Sequence, residues 1–386
     1  MNKTLLYFIF IIVAKAGAQT SALAEADSLY AVGNYSEAIE KLEQIEPQSP
    51  KVLGRLAKAQ KAYGDPAAAM EAYQTVLQED PDQVLSAVEY AKLLSAAGKL
   101  EAADSIFKNL IKKYPDNADF YYQLGLVREK QKDSSAMSLF NVTLYIQKTH
   151  QPALIKVSKK ALVEGHLAKA ERLAKQGLEV NPNQVTLLSI LAQAYYYGKD
   201  YEKAVVEFEK LVALGQGSEF IHSKLGTAYF QLSKLEKAIE NFNTALDYNE
   251  KNYASHYSLG KLYALNGEYG NSEGHLLQSI LLKAVTLNEE YTSLGLTYKS
   301  MKKPGEALTY FNKAIEENPM NERAMLERAL AADSYYEDLR TRLNYYQAYL
   351  DKFSELGSPN FMLLAMRRVK DIREEMHMKG LLREAQ

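Results

Sequence analysis

"LGTAYFQLSKLEKAIENFNTAL", from Leu225 to Leu246, is the stretch that decides the fold. Its small residues, Gly226 and Ala238, stand at fixed distances from the larger residues Tyr229 and Phe242. Alone, this spacing is typical of an amphipathic helical hairpin. If the spacing recurs in phase along the chain, the stretch is one unit of a repeat array.

The spacing recurs through most of the chain. A small residue is followed three positions later by an apolar or aromatic residue in most units, twelve later by a second small residue and sixteen later by a large one. The first small residue, called here the small frame residue, returns about every 34 positions, at Ala57, Ala91, Gly125, Ser158, Ala192, Gly226, Gly260 and Gly295. Chance matches would not keep one phase over eight units, so the sequence predicts a repeat array.

This pattern resembles the tetratricopeptide repeat (TPR), a helix-turn-helix unit of 34 residues. The resemblance implies an all-α fold, a right-handed α-solenoid superhelix of about ten units whose first helices line a concave face. The array is expected over residues 19–355, with units near 19–49, 50–83, 84–117, 118–150, 151–184, 185–218, 219–252, 253–287, 288–321 and 322–355. The last unit is degenerate, because Thr341 stands where an alanine is expected.

The repeated positions have a physical reason. A small residue such as Gly226 lets two helices approach, and a large one such as Phe242 fills the space beside the contact. Glycines in the connecting turns allow a left-handed backbone at the helix end; these are Gly64, Gly98, Gly165 and Gly267. Each hairpin leaves one apolar face uncovered, so neighbouring units must stack.

The first 18 residues have the pattern of a secretory signal peptide. Lys3 precedes the apolar run "LLYFIFIIVA", and "AGA" at 16–18 is a small-residue cleavage site. We therefore predict a signal peptide at 1–18, cleavage after Ala18 and export, most simply to a bacterial periplasm. The apolar run is shorter than the roughly 20 residues of a membrane span. An uncleaved anchor is the alternative, since Lys15 lies close to the cut.

Residues 356–386 are predicted to form a C-terminal capping helix and tail. Ser358 and Pro359 form a helix start, and apolar residues then recur at helical spacing from Phe361 to Met376. The opposite face carries Arg367 and other basic residues. A helix that covers the last repeat is one interpretation, and a basic amphipathic helix that docks on a membrane or a partner is the other.

The sequence predicts neither an enzyme nor a bound cofactor or metal. It lacks a phosphate-binding glycine loop, a zinc-binding H-E-x-x-H and a G-x-S-x-G turn. The S-x-x-K spacings at 105–108 and 300–303 lack the companion motifs of serine acyl-enzymes. His222 and His256 occupy equivalent positions of adjacent repeats, about 10 Å apart, which is too far for one metal ion. We expect them to pack between helices instead.

The remaining candidate site is a peptide groove. Slots that face the concave side in the family carry here Lys58, Lys92, Lys159, Lys261, Gln193, Tyr122, Tyr196, Tyr197, Phe230 and Tyr257. Lysines beside aromatic rings could bind an extended peptide through its carboxylates and apolar side chains. The alternative is that these are ordinary solvated or interhelical residues. The family's carboxylate clamp is not expected, since Asp27 stands where its asparagine would be, although Lys51, Arg55 and Lys58 fit one unit.

These observations predict a scaffold or adaptor that binds protein segments, within cell-envelope assembly or secretion. A carbohydrate- or peptidoglycan-associated binding module is the alternative, motivated by 28 tyrosines and by the expected export. A net charge of -2 does not indicate nucleic acid as a partner. No integral membrane span is expected in the mature chain, whereas peripheral association with the envelope is compatible with the sequence.

Overall fold

The structure, a computed structural model, describes residues 21–283, 286–379 and 381. Within these residues all regular secondary structure is helical, which confirms the predicted all-α class. The predicted signal peptide at 1–18 lies outside the described residues.

The described residues form two compact units, with the boundary between Pro182 and Asn183. The helices of the first unit form five consecutive pairs: α1 (21–31) with α2 (Tyr35–Glu43), α3 (Pro50–Tyr63) with α4 (Pro66–Glu79), α5 (Val84–Ala96) with α6 (Leu100–Lys113), α7 (Ala118–Lys130) with α8 (Ala136–Ile146), and α9 (Gln151–Val163) with α10 (Leu167–Val180).

The second unit contains five further pairs and a final helix. They are α11 (Val185–Tyr197) with α12 (Tyr201–Ala213), α13 (Glu219–Gln231) with α14 (Leu235–Tyr248), α15 (Tyr253–Leu265) with α16 (Tyr269–Leu282), α17 (Asn288–Ser300) with α18 (Pro304–Glu317), α19 (Glu322–Tyr335) with α20 (Leu339–Phe353), and α21 (Pro359–Met378). In each unit the two helices of a pair pack on each other and on the next pair.

The contact inside each pair depends on the small frame residue. A Cβ atom added to Gly226 would lie 2.8 Å from the ring of Phe242, well inside van der Waals contact. The same holds for Gly125 against Phe140 and for Gly295 against Phe311. Because the glycine has no side chain, the large residue of the second helix packs directly on the backbone of the first, and the predicted role of Gly226 is confirmed.

The turns between paired helices share a left-handed residue. The four predicted turn glycines, of which Gly64 is one, all have positive φ. Four other pairs place a non-glycine residue in this conformation: Lys132, Lys199, Ser233 and Lys302. The hairpin geometry therefore imposes the conformation, even where a side chain makes it less favourable by about 1–2 kcal/mol.

The tenth pair, whose sequence is degenerate, closes differently. Its connection contains no left-handed residue, and Asp338 caps α20 by accepting a hydrogen bond from the amide of Thr341 at 2.8 Å. The hydroxyl of Thr341 donates to the same carboxylate at 2.7 Å. Thr341 thus replaces the usual alanine because it takes part in the cap.

Helix α21 packs on the last pair. Its residues Ala365 and Ile372 are fully buried in a cluster with Tyr346 and Tyr349. The guanidinium of Arg368 donates two hydrogen bonds to the Asp333 carboxylate, at 2.5 and 3.0 Å. None of the described helices is both long and apolar enough to cross a membrane.

Substitution of the small frame residue tests the packing. Gly226→Leu is expected to lower the free energy of unfolding by roughly 2–3 kcal/mol, because the new side chain must displace Phe242. Gly274 is the matched control: it lies on α16 with nothing within 4 Å of its Cβ position. There, leucine should stabilise the helix by up to about 1 kcal/mol. Equal midpoints in urea or thermal unfolding would contradict this account.

Candidate functional site

In each unit the first helices of successive pairs lie side by side. We call the surface that they form the first-helix face. It consists of α1, α3, α5, α7 and α9 in the first unit, and of α11, α13, α15, α17 and α19 in the second. The predicted groove residues all lie on these helices. Their surroundings differ from one pair to the next and decide what each can bind.

In the first unit, α1, α3 and α5 line a recess of about 640 Å³. The ammonium of Lys58 lies 4.7 Å from the ring centre of Tyr30, a cation–π contact. Arg55 donates two hydrogen bonds to the carboxylate of Asp27, at 2.7 and 3.0 Å. Because Asp27 already occupies this guanidinium, Arg55 is not available as half of a carboxylate clamp.

The carboxylate of Glu89 forms ion pairs with two lysines of the same face. It accepts hydrogen bonds from Lys61 at 2.5 Å and from Lys92 at 2.9 Å. Burial alone would raise the pKa of Glu89, but the two ammonium groups lower it on balance. Lys92, a predicted groove residue, is therefore paired within the protein, whereas Lys159 is exposed on α9.

Tyr122 is mainly an interhelical residue. Its ring centre lies 4.9 Å from that of His150 and 5.5 Å from that of Phe140. Burial raises the pKa of its hydroxyl. Tyr122 therefore fits the alternative of an ordinary interhelical residue better than the peptide-groove interpretation.

In the second unit, α11 carries a group of tyrosines at its end. Tyr196 makes an edge contact with Tyr197 at 5.5 Å between ring centres and a second one with Tyr201 at 5.8 Å. Tyr197 is 50% exposed, so part of this aromatic surface faces solvent. Gln193 is turned to its own helix, where its amide donates to the Ser189 carbonyl at 3.1 Å. Phe230 is half-buried on α13.

Further along the second unit, α15, α17 and α19 line a recess of about 700 Å³. Tyr257 and Lys261 form one side, with the Lys261 ammonium 5.3 Å from the Tyr257 ring centre. The amide of Asn321 donates to Asn288 at 3.1 Å and to Thr292 at 3.0 Å, which makes a polar lining. The side-chain oxygens of Asn288 and Asn321 each accept one hydrogen bond inside the protein, and each can accept a second from a peptide N–H group.

The residue that sequence reasoning missed is Lys224 on α13. Its ammonium lies 4.6 Å from the ring centre of Tyr196 and 5.4 Å from those of Tyr197 and Phe220. The predicted groove lysines, such as Lys261, lie one residue after the small frame residue, whereas Lys224 lies two residues before Gly226. The predicted Tyr196 and Tyr197 thus meet a cation that the sequence did not connect with them.

The two histidines considered for a metal are held by separate neighbours. His222 bonds Asn241 at 3.0 Å and stacks on Tyr248. His256 bonds His275 through the two Nδ1 atoms, 2.9 Å apart. Within the described part of the chain, no group of three or more histidine, cysteine, aspartate or glutamate side chains could hold a metal ion.

The His256–His275 pair makes stability depend on pH. Burial, and then the neighbouring His256, lower the pKa of His275 from its ordinary value of 6.5. The unfolded chain therefore binds a proton at higher pH than the native state, so this residue destabilises the fold as pH falls below about 6.5. Asn241 occupies the equivalent position one repeat earlier, which makes His275→Asn the matched variant.

We expect the melting temperature of the wild-type chain to fall more steeply than that of His275→Asn between pH 7 and pH 5. Differential scanning fluorimetry in a series of buffers measures both curves. Parallel curves would show that His275 is equally easy to protonate in the folded and unfolded states.

Comparison with known proteins shows the family of this chain. Tetratricopeptide repeat models match residues 29–88, 61–124, 159–219 and 289–321, and a model described as TPR repeat matches residues 226–267. Together these matches cover more than half of the chain.

Individual relatives are distant. Anaphase-promoting complex subunit 7 of Arabidopsis thaliana is 21% identical over 304 residues, which are 78% of this chain and 54% of that protein. Lipopolysaccharide assembly protein B of Escherichia coli K12 is 20% identical over 259 residues, 65% of this chain and 58% of that protein. The chain spans about half the length of the first curated relatives it matches.

Among solved structures, YrrB, described as a TPR protein with an unusual peptide-binding site, is 19% identical with a TM-score of 0.45. The match covers 48% of this chain and 95% of that one. The repeat matches confirm the resemblance predicted from the small frame residues, and the chain belongs to the tetratricopeptide repeat family.

Proposed function

We propose that this chain is a non-enzymatic scaffold that binds protein segments on the first-helix face of its second unit. TPR proteins generally mediate contacts between proteins. The observation that carries the proposal is the recess on α15, α17 and α19, which combines an aromatic side with a polar lining. Such a surface offers hydrogen bonds to a peptide backbone and apolar contact to its side chains.

Exposed apolar residues on the same face support this choice. Leu265 borders the recess at 65% exposure, and Met320 at 49%. In the recess of the first unit, by contrast, Arg55 and Lys61 are already paired with carboxylates of the protein. We therefore assign the main binding surface to the second unit.

We further propose that the scaffold acts in the cell envelope. The support is the N-terminal signal-peptide pattern together with the similarity to lipopolysaccharide assembly protein B. A role in envelope assembly or secretion follows from that location and from protein binding.

Peptide binding can be mapped by crosslinking. A photoreactive phenylalanine analogue replaces Leu265 beside the recess, Tyr197 on α11 or, as the control, Tyr248 on α14, which is 57% exposed. The probe is a library of random peptides of about 12 residues, which extend over roughly 40 Å. We expect peptides retained by the purified full chain to crosslink at position 265 and at position 197, and not at position 248.

The opposite labelling pattern, or a chain that retains no peptide, would contradict the proposed function. Retention by purified peptidoglycan without any retained peptide would instead favour the carbohydrate-binding alternative.

Export can be tested independently. We expect the chain, expressed in a Gram-negative bacterium, to be recovered from the periplasmic fraction with Gln19 as its first residue, because cleavage is predicted after Ala18. Mass spectrometry of the N-terminal peptide measures this. A cytoplasmic chain that keeps Met1 would contradict the envelope location and leave peptide binding untouched.

A further inference from the structure

One position on the first helices carries the residues that form ion pairs between neighbouring repeats. This slot lies two residues before the small frame residue. In the tenth pair the small frame residue is Ala329. Five pairs carry a charged residue there: Arg55, Glu89, Lys156, Lys224 and Glu327. Charged groups at a contact between helices need an opposite charge, since a partly buried charge without one is unfavourable.

Four of these five residues pair with a charge on the preceding first helix. The ion pairs, with their nitrogen–oxygen distances, are Arg55–Asp27 at 2.7 Å, Glu89–Lys61 at 2.5 Å, Lys156–Glu129 at 2.6 Å and Glu327–Lys299 at 2.5 Å. Three of the partners, Lys61, Glu129 and Lys299, lie four residues after the small frame residue of their helix. The protein thus normally supplies the opposite charge from within.

Lys224 is the exception. The residue four positions after the preceding small frame residue, Ala192, is Tyr196 rather than a carboxylate. The ammonium of Lys224 lies over that ring instead, 4.6 Å from its centre. Among the described residues, no carboxylate oxygen comes within the 4.0 Å ion-pair distance of it.

The carboxylate that acts on Lys224 from further away is occupied elsewhere. Glu219 accepts hydrogen bonds from Ser223, at 2.9 Å, and from Asn252. Burial lowers the pKa of the Lys224 ammonium, and the attraction of Glu219 only partly opposes this. The aromatic rings compensate a cation less completely than a carboxylate does.

We infer that Lys224, Tyr197 and Phe220 form a subsite for an aspartate or glutamate side chain of the bound protein segment. The partner would supply the carboxylate that α11 lacks, at the contact between α11 and α13. Tyr197 and Phe220, 50% and 39% exposed, would pack against an apolar residue next to that acidic one. This inference rests on the proposed function and adds to it the chemistry of the partner.

The test compares two fluorescein-labelled peptides of about 12 residues, long enough to cross several helices. Both have blocked ends, so that no terminal carboxylate competes, and both carry one variable central position followed by phenylalanine. One has Asp at that position, and the other has Asn. Fluorescence anisotropy with the purified full chain should give at least about tenfold tighter binding of the Asp peptide, a difference of about 1.4 kcal/mol.

Lys224→Met should remove that preference, because it keeps an apolar side chain of similar length and deletes the charge. Lys313→Met is the matched control: Lys313 also lies over two tyrosine rings, at 5.0 and 5.6 Å, but on the second helix α18. This control should keep the full preference. Tyr196→Glu places a carboxylate where the other repeats have a charged partner, and it should weaken binding of the Asp peptide as Lys224→Met does.

Three outcomes distinguish failure of this inference from failure of the proposed function. Library peptides that crosslink at position 197, together with equal affinity for Asp and Asn peptides or an unchanged preference in Lys224→Met, would overturn the acidic subsite alone. A chain that binds neither these peptides nor any of the library would overturn both. Binding of polygalacturonate that depends on Lys224, with no Asp preference among peptides, would overturn the assignment of a protein partner.

Discussion

Each repeat depends on one contact, in which a large side chain of the second helix packs on the backbone of the first at a small residue. At Gly226 the ring of Phe242 occupies the space that a Cβ atom would need. This contact fixes how closely the two helices approach. It therefore also fixes which residues of the first helix lie on the side turned away from the second helix. The turns, the stacking of neighbouring pairs and the first-helix face all follow from it.

The first-helix face has a second level of organisation. Charged residues two positions before the small frame residue link one first helix to the next through ion pairs such as Lys156–Glu129. These ion pairs are partly exposed, so each adds little stability by itself. Their regular placement matters more, because it makes the one unmatched cation, Lys224, stand out among the described residues of that slot. A regular array can therefore show a binding site as a departure from its own pattern.

Much of the fold could be predicted from the sequence, because the small frame residue and its large partner report the same contact in every unit. The left-handed turns at Lys132 and Lys199 could not, since hairpin closure imposes that backbone conformation without a glycine to mark it. The candidate site could be predicted from the sequence even less well. Lys92 and Lys224 are both lysines of first helices, yet one pairs with Glu89 and aromatic rings surround the other.

The difference between Lys92 and Lys224 depends on residues of neighbouring helices. Comparing the same position within one repeat at a time does not show which residues of the next repeat lie beside it.

The most direct test of the account is a crystal structure of the full chain bound to its tightest library peptide. The account predicts a peptide on the first helices of the second unit, with an acidic side chain within about 4 Å of the Lys224 ammonium. A peptide bound along the second helices, or on the first-helix face with no carboxylate near Lys224, would contradict it.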